Sequence, residues 1–419
     1  MTTTKEGPAS SPSIWRNLHY LLFWGGGSLS VVGSAMSRIA FPLLVLEITG
    51  SAASAGLVGA LGALPYPILG LPAGALADRW DRRRTMIVCD LGRAAALGSV
   101  PLALWAGHAS LLQLCIVAAI EGSLFTFYDA AWHAAVPRVV SAESLPSALA
   151  LNQGTLGMAG IVGPPLGGVL YGVARSFPFL ADAVSYLMSI GSLLLIRTPL
   201  QGERASGPAH PWEDIVDGLR WTCERPTVLL LGIAAAINDM VGAGLSLTII
   251  VVARHAGASA PAIGLMFAIA AVGGTAGSFL TGPLMARFSL RALMIGLVCG
   301  EVTLGPLFLL TVSPIVLGVL TGLVWLLRGP FALVQSTRRR QILPDEYQGR
   351  VNTFFELLKQ GTDAIAFALT GVLLTILGAR PLIILLFASL GLLAILLVTK
   401  LKPTAEGTSA ESSGASRGG

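Results

Sequence analysis

The sequence predicts an all-α polytopic membrane protein that crosses the bilayer twelve times. Of its 419 residues, 54% are hydrophobic and only 12% are charged, whereas soluble domains carry roughly 25% charged residues. A helix needs about 20 predominantly apolar residues to cross the hydrocarbon core, and the chain contains twelve segments of that kind. These segments span residues 20–46, 54–77, 86–106, 110–133, 148–172, 177–196, 227–251, 262–285, 291–311, 314–335, 353–377 and 380–399.

Basic residues lie mainly on one side of the twelve segments. With both termini on that side, twenty of the 27 Lys and Arg residues fall in its tails and loops, and four fall inside segments. The opposite side carries only Arg175, Arg254 and Arg380. Because basic loops remain in the cytoplasm, this asymmetry predicts a multi-pass protein of the inner (plasma) membrane with both termini cytoplasmic. The net charge of +5 reports this orientation and predicts no nucleic-acid partner.

A polar stretch after the sixth segment divides the chain into two halves. The final residues are rich in Ser, Gly and Thr and too polar to build a core, which predicts disorder. In the polar stretch, apolar residues recur at helical spacing after Pro211, which predicts an amphipathic helix. This helix lies either on the cytoplasmic membrane surface or in solvent as a linker helix. The predicted parts are a cytoplasmic tail (1–19), an N-terminal six-helix bundle (20–196), a cytoplasmic linker (197–226), a C-terminal six-helix bundle (227–402) and a disordered cytoplasmic tail (403–419).

The two halves share a faint sequence repeat with an offset of 208 residues. Glycine and leucine recur at this offset in the second segment of each half, which predicts halves of similar structure. One acidic position does not repeat, since Asp78 aligns with Ala286. The aligned positions are Gly56-Leu57 with Gly264-Leu265 and Gly74-x-Leu76 with Gly282-x-Leu284.

Residues 74–84 form a dense charge cluster in a tight turn between two long apolar segments. Their sequence, Gly-Ala-Leu-Ala-Asp-Arg-Trp-Asp-Arg-Arg-Arg, closely resembles the loop motif between helices 2 and 3 of the major facilitator superfamily. The resemblance implies two pseudo-symmetric six-helix bundles with the substrate bound between them. It also implies that Asp78 caps the start of helix 11 and latches the halves together when the protein opens outward. The predicted latch residues are Gly74, Asp78, Arg79 and Arg82, extended by an expected Asp90–Arg93 pair three residues apart on segment 3.

Segment 5 carries a second motif, made of small residues and proline. Gly163-Pro164-x-x-Gly167-Gly168 resembles the helix 5 signature of the exporting, proton-antiporting branches of the superfamily. One upstream glycine of that signature is replaced by Ala159. The resemblance implies export, whereas the alternative is a packing motif, because small residues allow helices to approach closely.

Three further stretches are similar to the exporter branch that includes macrolide and siderophore efflux proteins. They are the Asp-Arg-Arg-Arg run after Trp80, the Leu-Pro-Ser-Ala-Leu-Ala-Leu-Asn run at 145–152, and the Gly-Arg-Val stretch at 349–351, placed before helix 11. The arginine motif that drug–proton antiporters carry on helix 4 is missing, and Glu121 stands at a comparable depth. The route by which those antiporters couple proton movement to drug export therefore cannot be assigned to the same residues of this sequence.

Ionisable residues inside the apolar segments are functional candidates, because a charge at the bilayer centre costs about 2.5–3.5 kcal/mol on insertion scales. The resemblance implies that helices 1, 4, 7 and 10 line a central cavity, and charged residues occur on all four segments. They are Arg38, Glu121, Asp129, Asp239 and Arg328.

Asp239 is the first candidate for a proton or cation site and Glu121 is the second, since apolar surroundings favour the neutral carboxyl group. Arg38 is expected to be their counter-charge or to bind an acidic group of the substrate. The alternative is that Arg38 with Glu121, and Asp239 with Arg328, are fixed packing pairs. Five other charged residues are expected to hold helices together or to lie near the cytoplasmic surface, namely Asp182, Glu301, Glu356, Lys359 and Asp363.

Together these features predict a secondary transporter that exports a small amphipathic compound, of the drug, macrolide or siderophore type, in exchange for protons. The sequence has no phosphate-binding loop, no metal-ligand spacing and no recurring nucleophile and base. We therefore expect no enzyme activity, cofactor or metal, with the proton gradient as the energy source. The expected partners are the substrate, protons and the lipid bilayer, and the expected functional unit is a monomer. The alternatives are a nutrient importer or uniporter of the same fold and a membrane ligand sensor that transports nothing.

Overall fold

A computed structural model describes residues 14–201 and 211–401 of the chain, and helices make up most of that part. The predicted disordered tail, most of the N-terminal tail and the central part of the linker lie outside the described residues. A short 3-10 helix, Ile14–Arg16, precedes the first long helix. The α-helices are α1 (Leu18–Thr49), α2 (Ala52–Ala63), α3 (Pro65–Arg79), α4 (Arg82–Trp105), α5 (Leu111–Val139), α6 (Leu145–Val173), α7 (Phe177–Leu195), α8 (Pro211–Cys223), α9 (Pro226–His255), α10 (Ala260–Arg287), α11 (Leu290–Phe308), α12 (Pro314–Ile342), α13 (Asp345–Leu377) and α14 (Ala379–Lys400).

Twelve membrane spans are present in the described part of the chain, which confirms the predicted fold class. The second span, Ala52–Arg79, consists of α2 followed by α3. The two helices meet at Leu64, because Pro65 has no N–H group to continue the helical hydrogen bonds. With 13 residues, α8 is too short to cross the bilayer, and it lies between the sixth and seventh spans.

Several helices continue beyond the apolar segments of the sequence. The helix α13 begins at Asp345, so the Gly-Arg-Val stretch at 349–351 lies in its first turns and not before it. The helix α12 likewise reaches Ile342, past the end of its apolar segment. Hydropathy detects only the part of a helix that crosses the hydrocarbon core, so polar helix ends escape it.

Consecutive spans run in opposite directions, so the bundle has two faces. We call the end that carries the α3–α4 turn and α8 the linker face, and the opposite end the far face. At the linker face only Trp80 and Asp81 separate α3 from α4, and Asp81 caps α4 by accepting a hydrogen bond from the Arg84 N–H at 2.9 Å. At the far face Ser51 caps α2 in the same way, through the Ser54 N–H. These caps satisfy helix N–H groups in the short connections between spans.

The two halves touch closely at the far face and separate toward the linker face. The helix α6 crosses α10 so closely that a Cβ atom added to Gly168 would lie 3.2 Å from the Gly264 Cα. Closer to the linker face, a Cβ on Gly160 would lie 3.7 Å from the Ala271 Cβ. Further still, a Cβ on Gly154 would meet no atom within 4 Å. The helices α6 and α10 therefore diverge toward the linker face.

A second crossing, between α2 and α13, has the same form. A Cβ on Gly56 would lie 2.8 Å from the Gly371 Cα, closer than real Cβ atoms approach. Nearer the linker face, a Cβ on Gly70 of α3 would lie 3.4 Å from Leu357 Cδ2, and one on Gly74 would meet no atom within 4 Å. The described halves thus enclose a cleft that is closed at the far face and open at the linker face.

The sequence repeat coincides with these two crossings. Gly56, in the first half, contacts α13 of the second half, and its repeat partner Gly264 contacts Pro164 and Pro165 of α6 in the first half. Each repeated glycine therefore lets the backbone of the other half approach. This reciprocal arrangement is the pseudo-symmetry that the repeat predicts.

The motif on segment 5 makes contacts within its own half and with the other half. A Cβ on Gly163 would lie 3.2 Å from the Ala35 carbonyl carbon, and one on Gly167 would lie 2.8 Å from the Met36 Cα, so both glycines pack α6 against α1. Gly168 instead faces α10. Close packing of this kind fits the alternative interpretation of the motif, and an exporter-specific role stays a prediction.

The linker helix α8 packs on the second half at the linker face. Its Trp221 ring stacks on Tyr347 of α13 with ring centres 5.5 Å apart, and Asp217 Oδ2 lies 3.4 Å from Arg350 Nη1. A Cβ on Gly218 would lie 2.9 Å from the Arg350 carbonyl oxygen. The predicted helix is therefore present and is held against α13.

We expect Gly264→Val to destabilise the protein, because its side chain would collide with the α6 backbone at Pro164. Overpacking of this kind costs about 1–3 kcal/mol, so the thermal unfolding midpoint of the purified protein should fall by several degrees. The matched control is Gly282→Val on the same helix, where an added Cβ meets nothing within 4 Å. Equal midpoints for the two variants would contradict the close crossing of α6 and α10.

Candidate functional site

An open pocket of about 270 Å³ lies between α9, α10 and α12 in the second half. Asp239, the first candidate from the sequence, lines this pocket with a side chain that is 26% exposed. Its Oδ1 lies 3.8 Å from Arg328 Nη2, so the Asp239–Arg328 contact that the packing alternative requires is present. The complete lining is Asn238, Asp239, Gly274, Trp325, Arg328, Gly329 and Ala332.

A second carboxylate, that of Glu301, also contacts Arg328. The sequence predicted only a packing role for Glu301. Glu301 of α11 is fully buried, and its Oε2 lies 3.8 Å from Arg328 Nη1. The Asn238 side-chain amide donates to Glu301 Oε1 at 3.2 Å, and Arg328 Nη2 donates to the Asn238 carbonyl. Glu301 therefore contacts Arg328 from the side away from the pocket, and Asn238 forms hydrogen bonds with both residues.

The first half contains a tighter charge network around Arg93 of α4. Arg93 donates to both carboxylate oxygens of Glu121, at 2.9 and 2.6 Å, and its Nη1 lies 3.6 Å from Asp90 Oδ1. The Tyr186 hydroxyl accepts from Arg93 at 2.7 Å and lies 2.9 Å from Glu121 Oε1. The expected Asp90–Arg93 contact is present, but inside one half and not between the halves.

The alternative in which Arg38 and Glu121 form a fixed pair is wrong. Glu121 is bound by Arg93, because α4 packs along α5 and brings Arg93 to the same depth. Arg38 is exposed, and within residues 14–201 and 211–401 it makes no ion pair. Sequence spacing could not decide between the two arginines, since both lie on spans of the same half.

Asp129 lies on the linker-face side of α5 in a polar group of its own. The Tyr66 hydroxyl donates to Asp129 Oδ2 at 3.2 Å, and His133 Nε2 lies 3.6 Å from Asp129 Oδ1. Glu356 of α13 acts on this carboxylate electrostatically across the cleft. Asp129 thus contacts Tyr66 and His133, and it makes no hydrogen bond or ion pair with Arg93 within the described residues.

Three charged residues of α13 lie near Asp239 of α9, and their expected role in holding helices together stays a prediction. Glu356 and Lys359 both act electrostatically on Asp239. Asp363 in turn interacts with Asp239 and Lys359. The apolar pattern of segment 11 does not reveal this, because the direction of each side chain depends on how α13 crosses α2 and α9.

The turn of the predicted latch is anchored within the first half. The buried Arg82 donates to the carbonyl oxygens of Ala77, Ala134 and Leu200 at 3.2, 2.9 and 3.2 Å. Asp78 is 57% exposed, and its side chain has one ionic contact within the described residues, at 3.7 Å from Arg82 Nη2. With the linker face open, Asp78 does not cap α13, and its role as a latch stays a prediction.

Arg79 and Gly74 lie beside this turn without a partner in the part of the chain that the structure describes. Arg79 makes no ion pair there, and a Cβ on Gly74 would meet no atom within 4 Å. Both residues are therefore free to form new contacts if the linker face closes. Such contacts would be consistent with the expected latch.

A charged cluster that sequence reasoning missed joins the two halves at the far face. Arg175 Nη2 lies 2.6 Å from Glu47 Oε1, and the Tyr171 hydroxyl donates to Glu47 Oε2 at 2.7 Å. Arg254, from the second half, lies 4.0 Å from Glu47 Oε2. The sequence contained a signal for this cluster. Only three basic residues lie on the opposite side from the basic loops, and two of them, Arg175 and Arg254, contact Glu47.

Twelve spans in two pseudo-symmetric halves around a charged cleft define the chain as a membrane transporter of the major facilitator type. The sequence profile described as transmembrane secretion effector matches residues 9–416. The chain therefore belongs to the transmembrane secretion effector family of the major facilitator superfamily, which confirms the resemblance seen in the sequence.

Similar proteins carry efflux names. The chain is 29% identical to macrolide efflux protein A of Streptococcus pyogenes over 45% of its own length and 47% of that protein, so this match spans about half of the relative. It is 26% identical to the multidrug efflux pump Tap of Mycolicibacterium fortuitum over 89% of the chain and 90% of the pump. It is also 26% identical to the enterobactin exporter EntS of Salmonella typhi over 82% of each chain.

A solved structure shares the fold at much lower identity. The nucleoside transporter NupG has a TM-score of 0.74 at 13% sequence identity, and the match covers 92% of this chain and 100% of the transporter. At this identity the likeness shows the fold alone. It agrees with the twelve-span arrangement described above.

We expect Glu121→Gln to destabilise the protein more than Asp239→Asn. The Glu121→Gln change removes the acid closest to the buried Arg93, and breaking a buried ion pair costs about 3–5 kcal/mol. Asp239 is partly exposed and lies 3.8 Å from its arginine, so its loss should cost less. Unfolding of both purified variants in detergent by a denaturant checks the order. The reverse order would contradict the fixed character of the Arg93–Glu121 pair.

We expect Glu47→Gln to favour opening of the far face, because hydrogen bonds to a charged group contribute about 1.5–3 kcal/mol each. Nitroxide labels at Ile48 and Ala256 report the separation of α1 and α9 by electron–electron resonance. The variant should broaden and lengthen the distance distribution. Arg380→Gln removes a charge from the same face without touching the cluster and should leave the distribution unchanged. A Glu47→Gln distribution identical to that of the wild type would show that the cluster does not hold the halves together.

Proposed function

We propose that this protein exports a small amphipathic compound, of the drug, macrolide or siderophore type, by proton antiport with alternating access. The observation that carries the proposal is the cleft, which is closed at the far face and open at the linker face, with the partly exposed Asp239 lining the same pocket as Trp325. The export direction and the substrate type are supported by the names of the relatives, which are a macrolide efflux protein, a multidrug pump and an enterobactin exporter.

The linker face is the cytoplasmic face in this proposal, because most basic residues lie there. Both termini are then cytoplasmic, the protein lies in the inner (plasma) membrane, and the present arrangement accepts substrate from the cytoplasm. Closure of the linker face would bring Asp78 to α13, while the Glu47 cluster would open. The two contacts would then stabilise opposite states, and each needs to contribute only a few kcal/mol to shift such an equilibrium.

Asp239 is the proposed coupling residue and the proton gradient the proposed energy source, with no cofactor. Glu121 is a weaker candidate than the sequence implied, because Arg93 binds both of its oxygens. Asp239 accepts no hydrogen bond within the described residues and faces the pocket. It is therefore free to exchange a proton for substrate. The proposed functional unit is a monomer, because one chain contains both halves and the whole cleft.

The test is substrate-driven proton movement in acidified inside-out vesicles that contain the protein, read with a pH-sensitive dye. A panel of macrolides, other drugs and siderophores is screened. A substrate should release protons from wild-type vesicles, and Asp239→Asn should abolish this release. Asp217→Asn, which removes a carboxylate from α8 outside the cleft, is the matched control and should behave like the wild type.

Other results of this experiment would favour the alternative functions. A compound that moves without protons indicates uniport or import by the same fold. A compound that binds to well-folded protein without any flux indicates a ligand sensor. Proton release that survives in Asp239→Asn but is lost in Glu121→Gln would transfer the coupling role to Glu121.

A further inference from the structure

Two carboxylates share one arginine beside the pocket of the second half. Arg328 Nη2 lies 3.8 Å from Asp239 Oδ1, and Arg328 Nη1 lies 3.8 Å from Glu301 Oε2. With both acids ionised, two negative charges and one positive charge give this cluster one net negative charge. The two acids are not equivalent, because Asp239 lines the pocket and Glu301 does not.

Glu301 contacts Arg328 from inside the protein as an ion pair without a hydrogen bond, and Arg328 Nη1 has no hydrogen-bond partner within the described residues. The Glu301 side chain is 0% exposed and accepts hydrogen bonds from the Asn238 amide at 3.2 and 3.4 Å. Arg328 also donates to the Asn238 carbonyl. Asp239, by contrast, is 26% exposed and accepts no hydrogen bond from the described residues. The net negative charge of the cluster is therefore presented to the pocket by Asp239.

The first half carries the same pair with the charges exchanged. Glu301 follows Arg93 by 208 residues, the offset of the glycine repeat, so an acid on α11 stands where α4 has an arginine. Arg328 on α12 lies one residue before Gly329, which is the position that aligns with Glu121 on α5 at this offset. In the first half the pair is closed, with two contacts at 2.6 and 2.9 Å. In the second half Arg328 contacts two acids, Glu301 and Asp239, and Asp239 is accessible from the pocket.

The pocket offers an organic cation both charge and an aromatic surface. Trp325 lines it together with Asp239, and an indole face attracts cations through its quadrupole. The nearby charges of α13 do not cancel the acid, since Glu356 and Asp363 outnumber Lys359. A neutral or anionic ligand would gain no charge attraction from the partly exposed Asp239 carboxylate.

We propose that Glu301 is a specificity-determining residue that makes this pocket select a lipophilic organic cation. It acts without touching the ligand. Glu301 neutralises Arg328 from the side away from the pocket, and it thereby prevents Arg328 from pairing fully with Asp239. The inference rests on the proposed function for the role of the cleft, and it narrows the proposed substrates to compounds that carry a positive charge.

The test is binding of tetraphenylphosphonium to the full-length protein purified in detergent, measured by calorimetry. Tetraphenylborate has the same shape and the opposite charge, and it should bind at least about tenfold more weakly. Asp239→Asn and Glu301→Gln should each weaken tetraphenylphosphonium binding at least about tenfold, the second because Arg328 then pairs with Asp239. The double variant Glu301→Gln/Arg328→Gln restores one net negative charge and should regain affinity. Asp217→Asn is the control for loss of a carboxylate elsewhere.

Several results would overturn the proposal. They are no binding of tetraphenylphosphonium, tighter binding of tetraphenylborate, or equal tetraphenylphosphonium affinity in the wild type and Glu301→Gln. Should Glu301→Gln alone fail to fold, the double variant and its Asp239→Asn derivative carry the test. The double variant must bind tetraphenylphosphonium and the derivative must not, and any other result rejects the role of Glu301.

The test separates this proposal from the proposed function. Proton-coupled export of a neutral or anionic compound, together with no tetraphenylphosphonium binding, would reject the cation site and keep the antiporter. Tetraphenylphosphonium binding that follows the expected order of variants, with no flux of any compound, would keep the cation site and reject the antiporter.

Discussion

The rest of the structure depends on close backbone contact between the two halves at the far face. In the hydrocarbon core helices gain little from hydrophobic association, so contact between them depends on packing, which small side chains allow. Gly56 and Gly371 bring α2 onto α13, and Gly168 and Gly264 bring α6 onto α10. Because these crossings lie at one end of long helices, the halves diverge toward the other end. The cleft and its access from the linker face follow from that geometry.

Charges in the spans obey a second constraint, since an unpaired charge in the hydrocarbon core is costly. The protein meets it in two ways. Arg93 and Glu121 are paired inside the first half, where they hold α4, α5 and α7 together. Arg328 contacts both Glu301 and Asp239, and of these two acids Asp239 faces the cleft. Arginine and acidic residues thus form a closed pair in the first half, whereas in the second half one acid faces the cleft.

The residues that would respond to the proposed change of state lie at the two ends of the cleft. Asp78 is exposed at the open linker face, whereas Glu47 is bound by Arg175 and Arg254 at the closed far face. Sequence motifs identify the first end, because its residues are consecutive in one turn. The second end is assembled from α1, α9 and the connection after α6, so no local pattern contains it.

The sequence by itself determined the twelve spans, the division into halves, the repeat and the family, because hydropathy and local motifs are properties of consecutive residues. It also identified Asp239, Arg328 and Glu121 as charges that a bilayer would not tolerate without a partner. Only the tertiary structure decided which partner each one has. Arg93 and not Arg38 binds Glu121, and Glu301 shares Arg328, because the rotation and crossing of each helix set the direction of its side chains. Hydropathy carries no information about those angles.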